Sequence, residues 1–537
     1  MIGHFKYSFI IVNVFFLCLS TSAEAKIQIV RSLEDFQKNL NIECTRYVIH
    51  GEIDLKGTYI LLPKNSRLNF YNGCLMNGTI EGNNTKLQST KKNVFHNCII
   101  NGKWQSDCAY SLMFDLDLDA IVLLKNLSHI SPNIKLSSNR EYIIHSTGEI
   151  ISLSTIEALG YKKPVLQFHT INPNISGLIF EGNDITIRNL IISDDYNPNN
   201  DYDDIPNDAT IGNTIVIRSE TGRVQNLLID GCKFLGGTSS SYVASSQTIN
   251  CFIKNCYFSG YIADHAVYCS MVSELFDVKN CVINEITHTR GIFKIRTSDN
   301  VRWFSLKDVD VCNLNGYLAT IGLLKNPTAK IMFDNVHVNN KDNTSMFYGF
   351  CIYDETHSSC GIDNCNAEEL IIKNCRFDCG YNGEPIIYSG SEKPVSIKNI
   401  SYINTYAKNS SFGGGFADNL HVNHCIYEND CKKSIFGISA KDVTIDNTTI
   451  TVISILQKDC LFFLNYSDVL TESILLHRVD LNLNVNNLFF VNKGDKLNVK
   501  MDRCRVSNLI TNYLLSPEEC KISFKIRNTL YSRNQIH

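Results

Sequence analysis

Proline is scarce in this chain, with 10 in 537 residues, and no charge sign dominates, since the net charge is only -4 with 19% charged residues. Scarce proline with 44% hydrophobic content excludes large disordered regions. The near-balance of charge leaves no global field pointing to nucleic acid or to an acidic partner. Beyond the N-terminus no stretch approaches the roughly 18 apolar residues of a membrane span. At the N-terminus, Lys6 precedes the apolar run FIIVNVFFLCL, and Ala23-Glu24-Ala25 supplies a small-x-small cleavage pattern. This reads as a secretory signal over residues 1–25, with export to the cell surface, the periplasm or the medium and a mature chain from about Lys26.

What is abundant is a motif. FDVKNCVI (276–283) has relatives in LIDGCKF ending at Phe234, FIKNCYF at Phe258, LIIKNCRF at Phe377 and HVNHCIY at Tyr427. Taking the residue after the Asn-like position as a marker gives Cys98, Leu190, Cys232, Cys256, Cys281, Val309, Val336, Cys375, Ile400, Cys425, Thr448, Val479 and Cys504. Cys425 to Thr448 spans 23 residues and Cys281 to Val309 spans 28; the wider gaps hold polar insertions. Self-similarity at this period marks a solenoid.

The local pattern says which kind. Phe276 and Val278 alternate with polar residues, as in a half-buried strand. At Asn280 the phase slips by one residue, and Cys281 and Ile283 resume the alternation. Such a slip needs a sharp bend, and Asn tolerates the left-handed backbone that the bend requires. Asn side chains in stacked coils can also hydrogen-bond along the axis. The repeated cysteine is then a small buried apolar group. Of the 21 cysteines, one or two disulfides are expected among the off-register Cys44, Cys74, Cys351, Cys360 and Cys431. Coils of about 25 residues without helical periodicity predict an all-β, right-handed parallel β-helix, whereas propeller repeats run to about 40–45. Residues 26–110 read as N-terminal capping and first coils, 111–515 as the β-helix domain, and 516–537 as a C-terminal cap or tail.

The run of VxIxNCxF-like coils resembles the pectin-lyase-like superfamily of secreted β-helix proteins. The stretch GEIDLKGTYILLPKNSRLNFYNGCLMNGTIEGNNTKL (51–87) looks like the N-terminal coils of secreted bacterial members. The resemblance covers about residues 45–510. It is specific for fold and weak for activity, because this fold carries lyases, hydrolases, esterases and adhesins.

It also implies where a groove would run: over the outer face of the first strand of each coil, about a dozen residues before each marker. HAVYCS (265–270), GIFKIRT (291–297), GFCIYDET (349–356) and PIIYSG (385–390) occupy those places. With Val267, Cys269, Phe293 and Ile295 inward, alternation turns Tyr268, Ser270, Lys294 and Arg296 outward. Stacking about 4.8 Å apart makes Tyr268 a neighbour of Lys294, and Ser270 of Arg296. Tyr353 and Glu355 are expected to continue these columns two coils on, Tyr388 one further, and Arg218 on the other side. His265 stands at the strand entrance. On any β-helix outward residues are polar, so each alone is weak evidence.

As a group they form a cationic bed for an anionic polysaccharide. Lys294 and Arg296 are placed to neutralise a uronate carboxylate, which makes the adjacent C5 proton acidic enough to leave. Tyr268 or His265 is placed to shuttle protons, and neighbouring cations favour the ionised form of a phenol. The candidate catalytic set is therefore Tyr268, His265, Lys294 and Arg296, with Arg218, Ser270, Tyr353, Glu355 and Tyr388 for substrate. Chondroitin sulfate or hyaluronan is modestly preferred over a pectin-like chain, since the lining mixes Lys, Arg and Tyr and carries no pectate-lyase signature. HAVYCS and FKIRT also look like the Gly-His-Gly and Arg-Ile-Lys motifs of polygalacturonase-type hydrolases. The coils where those carry aspartates read TIVIRSE and SYVASS, which favours elimination unless Asp264, Asp354 or Glu355 substitutes. A glycan-binding surface protein without activity is the third reading. The segment DDYNPNNDYDD (194–204) reads either as a solvated acidic loop or as a calcium site built from Asp194, Asp195, Asp201, Asp203 and Asp204; calcium assists many β-helix lyases of the group it resembles. A monomer is expected.

Overall fold

A computed structural model gives the fold. It describes residues 26–532 except 39, 89, 146, 201–211, 246, 273, 298–301, 324–328, 341–346, 355–365 and 381–385. Also outside it are 390–395, 411–415, 431–435, 454–459, 465–469, 485–486, 492–495, 508–511 and 516–520. The chain divides into two compact units, one of Met1–Gln88 with Val94–Gln105 and one of Ser89–Asn93 with Ser106–His537.

The first unit is a five-stranded parallel sheet built from Ile27–Val30, Arg46–Asp54, Tyr59–Leu61, Arg67–Leu87 and Phe95–Gln105. A short helix, Leu33–Gln37, starts at Ser32, whose Oγ accepts from the Asp35 amide at 3.2 Å. Asn65, Asn77, Asn84 and Asn97 all take positive φ, and Asn97 Nδ2 donates to Asn77 Oδ1 at 3.1 Å. The corner device of the repeat therefore operates here too.

The second unit is a parallel β-helix. One sheet has nine parallel strands: Glu149–Ser152, Leu178–Glu181, Ile215–Arg218, Ser241–Ser245, His265–Val272, Gly291–Thr297, Gly316–Leu323, Phe347–Asp354 and Ile387–Ser389. The chain leaves His265–Val272, runs through Leu275–His288 in a second, 31-stranded sheet, and returns at Gly291, which pairs with His265. Leu275–His288 contains FDVKNCVI and bends at Asn280, where φ is 53°. Asn189, Asn255, Asn335, Asn374, Asn404 and Asn447 repeat that conformation. Their amides form ladders: Asn280 Nδ2 donates to Asn255 Oδ1 at 3.3 Å, and Asn255 Nδ2 to Asp230 Oδ1 at 2.8 Å. Backbone pairing also continues through the bend, the Asn255 N–H donating to the Lys279 carbonyl at 3.0 Å, so the ladder adds side-chain bonds along the axis.

Inside, Cys232, Cys256 and Cys281 are buried, and burial is a chief cause pushing the Cys256 and Cys375 thiols up, the latter to about 12. Phe234 stacks on Phe258 at 4.9 Å and Phe276 on Phe304 at 5.3 Å, so aromatic columns run along the axis as well. The disulfides expected at Cys44 and Cys74 are not formed: both are thiols. The Cys351 side chain, Cys360 and Cys431 lie outside the described part.

Two elements differ from the sequence reading. A helix spans Ala120–Ile130, capped by Asp119, whose Oδ1 accepts from the amides of Ile121 at 2.9 Å and Val122 at 3.0 Å. It buries Leu123, Leu124, Leu127 and Ile130. At the other end, Lys521–Arg527 pairs in register with Lys496–Asp502, so coil succession continues into the segment read as a cap or tail. No described helix is long and apolar enough to cross a membrane.

The corner makes a test. A β-branched residue in the left-handed region costs about 1–2 kcal/mol, and the amide ladder is lost with it. Asn280→Val should therefore lower unfolding free energy by about 2 kcal/mol or more in urea titrations. Asn280→Gly, which keeps the backbone conformation, should cost less than half as much.

Candidate active site on the nine-stranded sheet

Register decides which side chains meet. Tyr268 pairs with Lys294 and Ser270 with Arg296. Val267, Cys269, Phe293 and Ile295 are fully buried, while Tyr268, Ser270 and Lys294 are partly exposed, so the two faces separate as alternation requires. The Lys294 ammonium sits 5.0 Å from the centroid of the Tyr268 ring, a cation–π distance. Ser270 Oγ donates to the Ser245 carbonyl at 3.4 Å. Arg296 is placed by its backbone, two residues beyond Lys294 and opposite Gly322 in the next strand.

His265 is not on the accessible surface. It is only 1% exposed, although its ring lies 5.8 Å from that of Tyr268. The reason is local: His265, Ala266 and Val267 are buried in succession, as are Gly291, Ile292 and Phe293. Where the strand enters from the corner both of its flanks are covered, so outward alternation begins only at Tyr268. Gly291 makes room for this packing. A Cβ there would come 2.3 Å from Thr320 Oγ1 and 3.3 Å from His265 Cδ2.

Two further residues complete the cluster: Asp264, named above only as a substitute carboxylate for hydrolysis, and Arg290, which the sequence reading missed. His265 Nδ1 lies 2.8 Å from Asp264 Oδ2, although neither imidazole nitrogen makes a hydrogen bond of ordinary geometry. Arg290 Nη1 is 3.7 Å from Asp264 Oδ1 and well exposed. Burial holds the imidazole of His265 below the usual histidine range; Asp264 opposes this, and the nearby cations Lys294 and Arg290 reinforce it. Burial pushes the Asp264 carboxyl up, but His265, Lys294 and Arg290 outweigh it and hold the group below the ordinary carboxylate range. The cluster therefore joins an ionised Asp264, a neutral His265, a phenol and two cations. Adjacency in sequence, Asp264 to His265 and Arg290 to Gly291, was the available signal.

The remaining candidates fall as follows. Arg218 is on the same sheet, but its Nε donates to Glu181 Oε1 at 2.9 Å, so its charge is already met. Tyr353 pairs with Gly322 and thus continues the Ser270–Arg296 column; Cys351, not Tyr353, follows Lys294 and Thr320. That register runs across the insertion at 341–346, which sequence spacing cannot count through. Tyr388 pairs with Cys351 and lies in the Tyr268 column by backbone register. Glu355, Asp201, Asp203 and Asp204 are outside the described residues.

Asp194 and Asp195 are both held by Thr170, whose amide donates to Asp195 Oδ1 at 2.9 Å. Asp194 is buried, accepting from Thr214 Oγ1 at 2.6 Å and Thr170 Oγ1 at 2.8 Å. Asp195 is exposed and meets His169 Nδ1 at 2.5 Å. Successive strand residues face opposite ways, which leaves Asp194 covered and Asp195 exposed. Burial pushes Asp194 up to about 6 despite its hydroxyl donors. No group of three His, Cys, Asp or Glu side chains suited to a metal occurs among the described residues.

No protein-family model matches the sequence, and no curated protein matches it. Among solved structures, a mutant of the PL6 family alginate lyase AlyGC aligns over 94% of this chain and 100% of its own at 9% identity, with a TM-score of 0.25. AlyGC itself aligns over the same shares at 9% identity, with a TM-score of 0.22. Likeness this distant carries no argument about site or reaction.

The two buried acids and bases predict opposite pH responses. Neutral His265 contributes stability that is present above the ordinary histidine value of 6.5 and lost as pH falls. Asp194 binds its proton more tightly folded than unfolded, so its contribution is present below its ordinary 3.8 and lost as pH rises through about 6. Between pH 7 and 5, thermal or urea unfolding should show His265→Gln losing less stability than the parent. Asp194→Asn should fail to show the parent's gain, about 1 kcal/mol over this range, from protonating that carboxyl.

Proposed function

We propose that this protein is a polysaccharide lyase that cleaves a uronic-acid-containing chain by β-elimination. The observation that carries the reading is the Lys294 ammonium held 5.0 Å from the Tyr268 ring on one face of a parallel sheet, with Arg296 two residues along the same strand. An elimination site needs cationic groups to neutralise the carboxylate and a proton-transfer group beside them. In this reading Lys294 and Arg296 pair with the uronate carboxylate. Tyr268 takes the C5 proton or delivers one to the departing O4, the C4–O4 bond breaks, and a C4=C5 double bond forms. His265 is a positioning residue: buried and neutral, it packs against Tyr268 and is held by Asp264.

Hydrolysis on the same scaffold would need two carboxylates flanking the bond. The described part of this cluster offers Asp264, which His265 and Arg290 already engage. A glycosaminoglycan such as hyaluronan or chondroitin sulfate remains the preferred substrate over a pectin-like one, on the mixed Lys, Arg and Tyr character of the face. Calcium at the acidic segment 194–204 belongs to the same reading and rests on its oxygen-rich composition.

The test is an ultraviolet absorbance assay for the unsaturated uronyl product across hyaluronan, chondroitin sulfate, polygalacturonate and alginate, with and without calcium. One of these should yield product. On it, Tyr268→Phe and Lys294→Ala should each lower kcat by about 10²–10⁴. Reducing sugar released without the absorbance would overturn elimination in favour of hydrolysis, and no turnover on any polymer would overturn the enzyme reading.

A further inference from the structure

The second sheet carries its own lane of charge, one residue before the Asn corner and one residue per coil. Along most of it each cation meets an acid. Lys135 lies 3.1 Å from Glu157, Arg188 is 3.3 Å from Asp230, and Lys373 is 3.3 Å from Asp334. In the middle the alternation stops. Asp230 pairs in register with Lys254, Lys254 with Lys279, Lys279 with Lys307, and Lys307 with Asp334. Three lysines therefore stand in successive coils with no acid between them.

The flanking acids are engaged elsewhere, Asp230 by Arg188 and Asn255 and Asp334 by Lys373 and Asn374. Among the described residues none of the three lysines forms an ion pair; Lys254 lies 5.2 Å from the centroid of the Phe252 ring. Strands stack at about 4.8 Å, so neighbouring ammonium groups repel unless an anion lies along them.

We propose that Lys254, Lys279 and Lys307 form a binding lane for an acidic polysaccharide, on a sheet other than the one that carries Tyr268 and Lys294. The step from coil to coil is close to the length of one sugar residue, so a linear chain with a carboxylate on each residue presents its charges in phase with the lysines. Lysine is a point charge on a flexible stem, suited to single carboxylates whose orientation varies. The lane is narrow. Asp277 lies two residues from Lys279 on the same strand, where Ser305 donates to it, and Asp308 follows Lys307. A duplex or a lipid surface would bring phosphates over these acids, whereas a single polysaccharide chain would not. The proposal concerns binding alone and does not depend on the elimination reading.

The experiment uses the full chain carrying Tyr268→Phe and Lys294→Ala, so that neither turnover nor the first face contributes. Affinity electrophoresis in gels containing polygalacturonate or alginate, which carry a carboxylate on each residue, reads the dissociation constant against salt. Adding Lys254→Gln, Lys279→Gln and Lys307→Gln should weaken retention at low salt at least tenfold and reduce the log–log salt slope by about two to three, the number of cations removed. Lys135→Gln with Lys373→Gln, which removes paired cations, should change retention less than twofold. If the triple variant loses its cooperative melt, Lys279→Glu alone repeats the test and should weaken retention severalfold. Retention by the triple variant within twofold of its parent would overturn the proposal. So would tighter binding to double-stranded DNA or phosphatidylserine vesicles than to either polysaccharide at equal ionic strength.

Discussion

Everything in the second unit depends on registry between coils. Backbone hydrogen bonds between parallel strands set residue n beside a residue about one coil later, and the Asn corner keeps that offset from drifting. A coil cannot bury its apolar face alone; stacked neighbours supply the core, so stability is shared between adjacent coils. The left-handed asparagines matter because they let the chain change direction while keeping one face inward. Their amides then hydrogen-bond to one another along the axis, beside backbone bonds that continue from coil to coil. Where the spacing between paired strands lengthens, as from Gly322 to its partner Tyr353, the register is one that spacing alone does not reveal.

The same registry creates chemistry by crowding. Lys294 meets Tyr268 because their strands are paired, and Asp264 meets His265 because the corner brings both under cover. Two forces compete there. Burial penalises every charge, while ionic partners restore charge where they are close enough. For Asp264 the partners win and the carboxylate stays ionised. For His265 burial wins and the imidazole stays neutral. Asp194 is the contrasting case, since hydroxyl donors without a cation leave burial dominant. Acid and base character on this scaffold follows from which side chains share a cover, more than from which residue types are present.

A solenoid also turns short-range choices into long lanes. A residue type repeated at one phase becomes a stripe along the axis, of cysteine and phenylalanine inside and of charge outside. From Lys135 to Asp230 and again from Asp334 to Lys373 the outer stripe alternates in sign, which neutralises it at modest energetic value for each exposed pair. Departures from alternation are therefore informative, because repulsion between like charges serves no purpose in holding the coil together. Linear polymers are the natural partners of such surfaces, being themselves periodic along one axis.

Much of this was legible in the residues alone. The phase slip at Asn280, the recurrence of Asn-Cys and the alternation on either side determined the parallel β-helix and the adjacency of Tyr268 to Lys294, because period and parity are local properties of a strand. The helix at Ala120–Ile130 was not legible, since it is a single departure from the repeat, signalled only by Asp119 as a cap. Tertiary structure alone decided that His265 is buried, that Arg218 is held by Glu181, that Tyr353 belongs to the Arg296 column, and that Asp194 is covered while Asp195 is exposed. Each of these depends on what covers a side chain or on how many residues an insertion consumes, and neither quantity is written in the periodicity of one strand.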